Sequence, residues 1–246
     1  MRAHLFDTPR RKDIATSIEA CLANGDRLMD DALQLEFQEE GGTRLTISML
    51  AQEEYAKAFM LYMVRENLVP WDSDLLRVMR NHACKHLLAM VMEYLSPEWE
   101  TVDELRVILS AEYDLECRFP PQVSSALNIL YWEKIRCGDF FDDNDYEPGV
   151  LAIAFGERDR AKQNALYVSL DKSCRVKSTP VRRITREAAR KEYERASRYR
   201  SIVAGLCEPD AYEGLQLQKL REATRAVFWQ KYRPIEATEQ EPSAPA

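Results

Sequence analysis

Three features of this chain predict a mainly α protein, built as an antiparallel bundle of four or five helices joined by short turns. Apolar residues recur at three- and four-residue intervals over most of the 246 positions. Only 8 residues are glycine. The prolines at Pro70, Pro97, Pro120, Pro121 and Pro209 fall between the periodic segments.

The first amphipathic run extends from about Asp13 to Glu39, through Ile14, Ile18, Cys21, Leu22, Leu28, Leu33 and Leu35. Gly25 lies within it and is expected to bend or weaken the helix. Gly41-Gly42 is expected to end this segment, with Thr43 as a cap for a second helix from about Arg44 to Asn67. Pro70-Trp71-Asp72-Ser73 breaks the pattern, and Asp72 or Ser73 can cap a third helix that runs unbroken from Leu75 to Met92. Further helices are expected from Ser96-Pro97 to about Ala111 and from Pro120-Pro121 to near Gly138. Val150–Phe155 and Leu166–Leu170 are short apolar runs that either pair as a β-hairpin or pack irregularly, and Asp171–Pro180 reads as a loop. A charged helix from Val181 to Leu206 and a last one from Ala211 to Tyr232 complete the pattern.

Residues 12–138 are thus expected to form the bundle and 139–149 an acidic connector. Residues 150–233 form a basic, mainly helical extension packed on the bundle, and 234–246, rich in Pro, Glu, Ser and Ala, a disordered tail. No apolar run approaches the roughly 20 residues needed to span a bilayer. The first residues lack the apolar centre of a signal peptide, so a cytoplasmic location without membrane contact is expected. Six scattered cysteines without a C-x-x-C pair fit a reducing compartment. The net charge of −7 argues against nucleic-acid binding by bulk attraction. Its distribution is uneven: residues 156–200 hold fourteen Lys or Arg against six Asp or Glu.

Chemistry concentrates at Arg80-Asn81-His82-Ala83-Cys84-Lys85-His86, which holds two of the three histidines. On one continuous helix, His82 and His86 share a face with Leu75, Met79 and Met90, and Arg80 lies on the neighbouring stripe. Polar groups on an apolar face need partners or a cleft, because burying them unpaired is costly. The second helix offers Glu53, Glu54 and Lys57. Glu54 and Lys57 share the stripe of Leu50, Leu61 and Val64, so they are expected to face inward. They either hold helix register or take part in the chemistry.

Arg80-Asn81 followed by four residues and His86 resembles the R-[polar]-x4-H motif of the HEPN superfamily, which includes many metal-independent ribonuclease toxins. Glu53-Glu54-x-x-Lys57-Ala58 on the preceding helix, then His82-x-x-Lys85, resembles the AbiV-type abortive-infection proteins within it. Leu166-Tyr167-Val168 followed by Pro180 extends the likeness, which spans residues 12–205. At Tyr55-Ala56 the chain departs from the family's usual Leu-Gly.

The resemblance implies a HEPN-like bundle acting as an antiphage endoribonuclease, with RNA as substrate and no cofactor. Two copies would line one cleft as a homodimer. A phage-encoded trigger or an antitoxin would be a further partner. Cleavage by the RNA's own 2′-hydroxyl needs proton transfer near neutral pH, which suits histidine, and positive charge at the phosphate, which suits arginine. His86 is the first choice for proton transfer, Arg80 for the phosphate, and Asn81 for orienting either. His82 is a second active-site group or a packing histidine. Glu53, Glu54, Lys57 and Lys85 are supporting residues.

Arg158, Lys162, Arg182, Arg183 and Arg186 could hold the RNA backbone, with Tyr167 stacking on a base. The bland alternative is a solvated face of alternating charges. Two rival functions stand beside this reading. One is a metal hydrolase using His82 and His86 at i, i+4, although Ala83 stands where H-E-x-x-H carries its base. The other is a non-catalytic dimerisation, adaptor or antitoxin module.

Overall fold

The computed structural model describes residues 9–37, 41–94, 120–135, 146–180, 184–207, 218 and 221. Helix α1 (Arg11–Gln34) buries Ile14, Ile18, Leu22, Gly25, Met29 and Ala32, one stripe at helical spacing. Helix α2 (Gly41–Arg65) is the hub. It packs against α1, α4 (His82–Tyr94), α7 (Glu157–Leu166) and α8 (Arg186–Cys207), and most of its 25 residues are buried. A helix enclosed on so many sides has little solvent in which to place polar residues, so Gln52 and Glu53 must find partners inside the protein.

Helix α3 (Ser73–Arg80) is capped as expected: Leu75 N–H donates to Asp72 Oδ1 at 2.7 Å. It then stops. Asn81 is extended (φ −83°, ψ 122°), and its Oδ1 accepts from Cys84 N–H at 3.3 Å, capping α4. The unbroken helix expected over Leu75–Met92 is therefore two helices meeting at a capping asparagine. The continuous face expected to join His82 and His86 to Leu75 and Met79 is interrupted, and Arg80, expected on the neighbouring stripe, is exposed. Helix α5 (Pro121–Ile135) packs on α3 and α4. Helix α6 (Pro148–Ala154) is capped by Glu147, whose Oε2 accepts from Val150 N–H at 2.8 Å, with proline in its first turn.

The 150–155 run is thus helical and takes no part in a hairpin. The β-pairing instead joins β1 (Ser169–Leu170), the end of the second apolar run, antiparallel to β2 (Val176–Ser178), which lies in the stretch expected to be loop. Helix α8 returns along α2 and buries Ala196, Tyr199, Ile202, Val203 and Leu206. One core cluster runs from Ile14 in α1 to Leu206 in α8, so Val150 of α6 and the C-terminal half of α8 share the apolar centre of the first helices. Ala165 of α7 and Ala189 of α8 pack with Leu45 and Met49 of α2 in a second cluster. The expected helices over 96–111 and 211–232, and the tail, lie outside the described residues. No helix of the described residues is long and apolar enough to cross a membrane.

The glycines do other work than expected. Helix α1 runs unbroken through Gly25. A Cβ there would sit 2.4 Å from Tyr55 Cε1, so glycine lets the buried Tyr55 ring lie against the helix, its hydroxyl donating to Asp26 at 2.8 Å. Gly41 and Gly42 do not end a helix; they begin α2. A Cβ at Gly42 would stand 2.3 Å from the backbone oxygen of Ala165, so this position sets how closely α7 approaches α2. We expect Gly25→Ala and Gly42→Ala each to destabilise the fold by about 1–3 kcal/mol, despite alanine's better helix propensity. Denaturant unfolding of the two variants tests this, and unchanged midpoints would disprove the packing role.

A buried carboxylate among lysines and histidines

Glu53 projects from the middle of α2 and is 3% exposed. Its neighbours come from two other helices. From α4, Lys85 Nζ and His82 Nδ1 both lie 2.6 Å from Oε2. From α7, the Lys162 ammonium pairs with Oε1. Lys162 also lies 3.1 Å from Asp159, at the rim. Burial alone would raise the Glu53 pKa, but His86, Lys162 and Lys85 around the carboxylate more than offset this and hold it well below the usual range. Glu53 is ionised.

An ionised carboxylate only accepts, so the His82 Nδ1 that touches it carries a proton. Lys162 Nζ, 3.3 Å from that same nitrogen, therefore shares Glu53 with the ring and does not donate to it. The consequence is chemical. His82 is held in the tautomer that leaves Nε2 as the basic nitrogen, on a side chain that is 50% exposed. His86 differs in every respect. It is 2% exposed, and its Nε2 lies 3.5 Å from Glu53 Oε1, too far for a normal hydrogen bond. Burial pushes the His86 pKa down; Glu53 opposes that, while Arg158 and Lys162 add to it. His86 is held neutral below Glu53.

Beside this cluster a second network fixes α7 and α8. Gln52 donates to the Glu192 carbonyl and carboxylate, each at 2.9 Å, and Arg158 reaches the same carboxylate at 2.5 Å. Arg195 ties Glu192 (2.9 Å) to Glu93 of α4 (3.0 Å).

The expected site residues are therefore split. Glu53, His82, Lys85 and His86 meet. Glu54 and Lys57, expected to face inward, pair with each other at 2.6 Å on a less buried part of α2; the inward-facing acid is Glu53. Asn81 spends its side-chain oxygen on the α4 cap, and Arg80 stands exposed immediately before it. Of the residues expected to hold RNA, Lys162 is buried against Glu53 and Arg158 is engaged with Glu192. Tyr167 and Arg186 are exposed, and Arg182 and Arg183 lie outside the described residues.

Lys162, expected from sequence among the RNA-holding cations, is instead a member of the cluster. One signal pointed to it: in the polar helix α7 it lies three residues before Ala165, and these two are the buried positions of that helix. Both oxygens of Glu53 already take ammonium protons, so the carboxylate is a poor third ligand for a metal between the two histidines.

Removing the carboxylate would leave two buried ammonium groups without their countercharge. We expect Glu53→Gln to cost about 3–5 kcal/mol of stability, measured by denaturant unfolding. A loss below the uncertainty of such a titration would show that the cluster does not hold these helices together. Stability should also fall on acidification. Glu53, depressed in the folded chain, contributes stability present above its unfolded pKa of about 4.3 and lost as pH falls below it. His86, also depressed, contributes stability present above about pH 6.5 and lost on the way down. Between pH 7 and 5 the decline should be shallower in His86→Gln than in the parent; equal slopes would contradict a buried neutral His86.

A family model described as AbiV, of the HEPN proteins, matches residues 13–201. No curated protein and no solved structure matches the chain. The matched span takes in Glu53, the Arg80–His86 stretch and Lys162, together with the helices that bring the cluster together. The chain belongs to the AbiV family of HEPN proteins.

Proposed function

We propose that the protein is an antiphage abortive-infection effector that cuts RNA without a metal ion, in a cleft shared by two copies. Membership of the AbiV family is consistent with the abortive-infection role. The observation that carries the nuclease part is the pairing of half-exposed His82 with buried, ionised Glu53. A carboxylate that fixes the ring leaves Nε2 directed away from its anchor and available as a base.

In this reading His82 Nε2 takes the proton of the 2′-hydroxyl, and that oxygen attacks the adjacent phosphorus. The bond to the 5′ oxygen breaks, giving a 2′,3′-cyclic phosphate and a 5′-hydroxyl once a proton reaches the leaving oxygen. One protomer offers one exposed histidine here, so His82 of the partner subunit, carrying a proton on Nε2 as well as on Nδ1, would supply that proton. This favours a composite cleft. Exposed Arg80 is assigned to the phosphate, where its planar fork matches two oxygens. By sequence alone His86 is the first choice for proton transfer. Its burial favours His82 instead, with His86 and Lys85 positioning Glu53 and Asn81 fixing the start of α4.

The test is cleavage of total RNA and tRNA by the purified full chain, with and without EDTA. Cutting should resist the chelator, and His82→Ala should lower its rate by about 10²–10⁴ in a chain that remains folded and loses less stability than Glu53→Gln. Arg80→Ala should likewise lose activity at unchanged stability. EDTA-sensitive cutting would move the chemistry to a metal. No cutting, with no toxicity on expression during phage challenge, would favour a helical adaptor.

A further inference from the structure

The segment from Tyr167 to Ser178 leaves the C-terminal end of α7 and turns back on itself. Tyr167 caps that helix in an extended conformation, five residues after Lys162, so it lies about 7.5 Å further along the axis than the cluster's own lysine. It is 66% exposed, and Leu170 and Val176, cross-strand partners in the hairpin, are exposed as well. Around them stand Lys172, Arg175 and Lys177, all exposed and, among the described residues, without a carboxylate partner.

The segment's single acid, Asp171, is exposed as well, but one of its carboxylate oxygens is engaged within the turn. Asp171 Oδ1 accepts from Ser173 N–H (2.8 Å) and Arg175 N–H (2.9 Å), and Asp171 N–H donates to the Arg175 carbonyl at 2.9 Å. The turn is thus held by its own carboxylate, with Cys174 at φ +59°. Beside that one acid the small, self-fixed hairpin exposes an aromatic ring, an apolar strip and three cations that, among the described residues, pair with no carboxylate.

That is the chemistry of a single-stranded nucleic-acid platform: a ring for base stacking, and cations that follow the phosphates. Resting on the RNA-cutting reading for its substrate, we infer that the 167–178 hairpin is the RNA-holding wing of the cleft, gripping single-stranded RNA beside the Glu53–His82 site. The basic residues expected to do this from sequence include two that do not face solvent freely: Arg158 is committed to Glu192 and Lys162 to Glu53. The hairpin supplies the free cations instead. A second copy of this chain is the less favoured occupant, because apposing two such faces brings like charges together.

The experiment is fluorescence anisotropy of the full chain with an unstructured RNA of about 16 nucleotides, 2′-O-methylated so that it binds without being cut. The salt range is about 50–200 mM. The variants are Tyr167→Ala and the triple Lys172→Ala, Arg175→Ala, Lys177→Ala, each first shown to keep the parent's thermal midpoint. The triple variant should lose at least about tenfold in affinity and flatten the slope of log K against log salt by about 2, the value for three single-strand phosphate contacts. Tyr167→Ala should weaken binding about tenfold with the slope unchanged, and duplex RNA should compete poorly.

Unchanged affinity and slope in both variants would overturn the inference, as would a wild type that does not bind. A drop in oligomeric mass at unchanged RNA affinity would also overturn it and assign the hairpin to a second copy. Cleavage measured in parallel separates the two readings. Hairpin-dependent binding without cleavage sinks the nuclease and keeps the wing; cleavage with hairpin-independent binding does the reverse.

Discussion

Glu53 is the constraint on which the site depends. A carboxylate in the middle of an enclosed helix is tolerated only if opposite charge comes to it, and the charge comes from helices distant in sequence. Lys85 and His82 arrive on α4 and Lys162 on α7. Such a cluster adds little net stability, since desolvating its members costs much of what their attraction returns. What it supplies is register. Sliding α4 by one turn against α2 would leave a buried carboxylate short of one ammonium, and losing α7 would leave it short of the other.

The same cluster divides two histidines that look equivalent in sequence. His82 begins α4, where the chain has just emerged from the Asn81 break, and so stays half exposed while touching Glu53. His86 is one turn deeper and is enclosed. One carboxylate thus holds the first by a hydrogen bond within reach of solvent, while the second lies buried beside it at 3.5 Å. The break has a second effect: it ends α3 at Arg80, placing a guanidinium at the surface beside the exposed histidine rather than a turn inside the bundle.

Close backbone approach governs the remaining geometry. Gly42 admits the Ala165 carbonyl, and Ala165 is three residues from Lys162 on the same face of α7. The absence of one side chain in α2 therefore sets the depth at which a lysine in α7 enters the cluster. The Gln52–Glu192–Arg158 network fastens α8 to the same pair of helices on the neighbouring side.

The sequence by itself determined what depends on local spacing. The apolar stripe of α1, the existence of helices at α2 and α8, the Asp72 cap, and the ordered set of motifs that led to the AbiV family could all be read directly from it. Tertiary structure decided what depends on which surfaces meet. Gly25 and Gly42 read as helix breakers because glycine is flexible, yet each sits in a helix where a partner's ring or carbonyl leaves no space for Cβ. Asn81 fits a continuous apolar pattern, and its role as a cap shows only in its backbone angles and its bond to Cys84. Lys162 reads as one of many cations in a basic segment. Its pairing with Glu53 spans 109 positions, and no periodicity encodes a contact between helices so far apart in the chain.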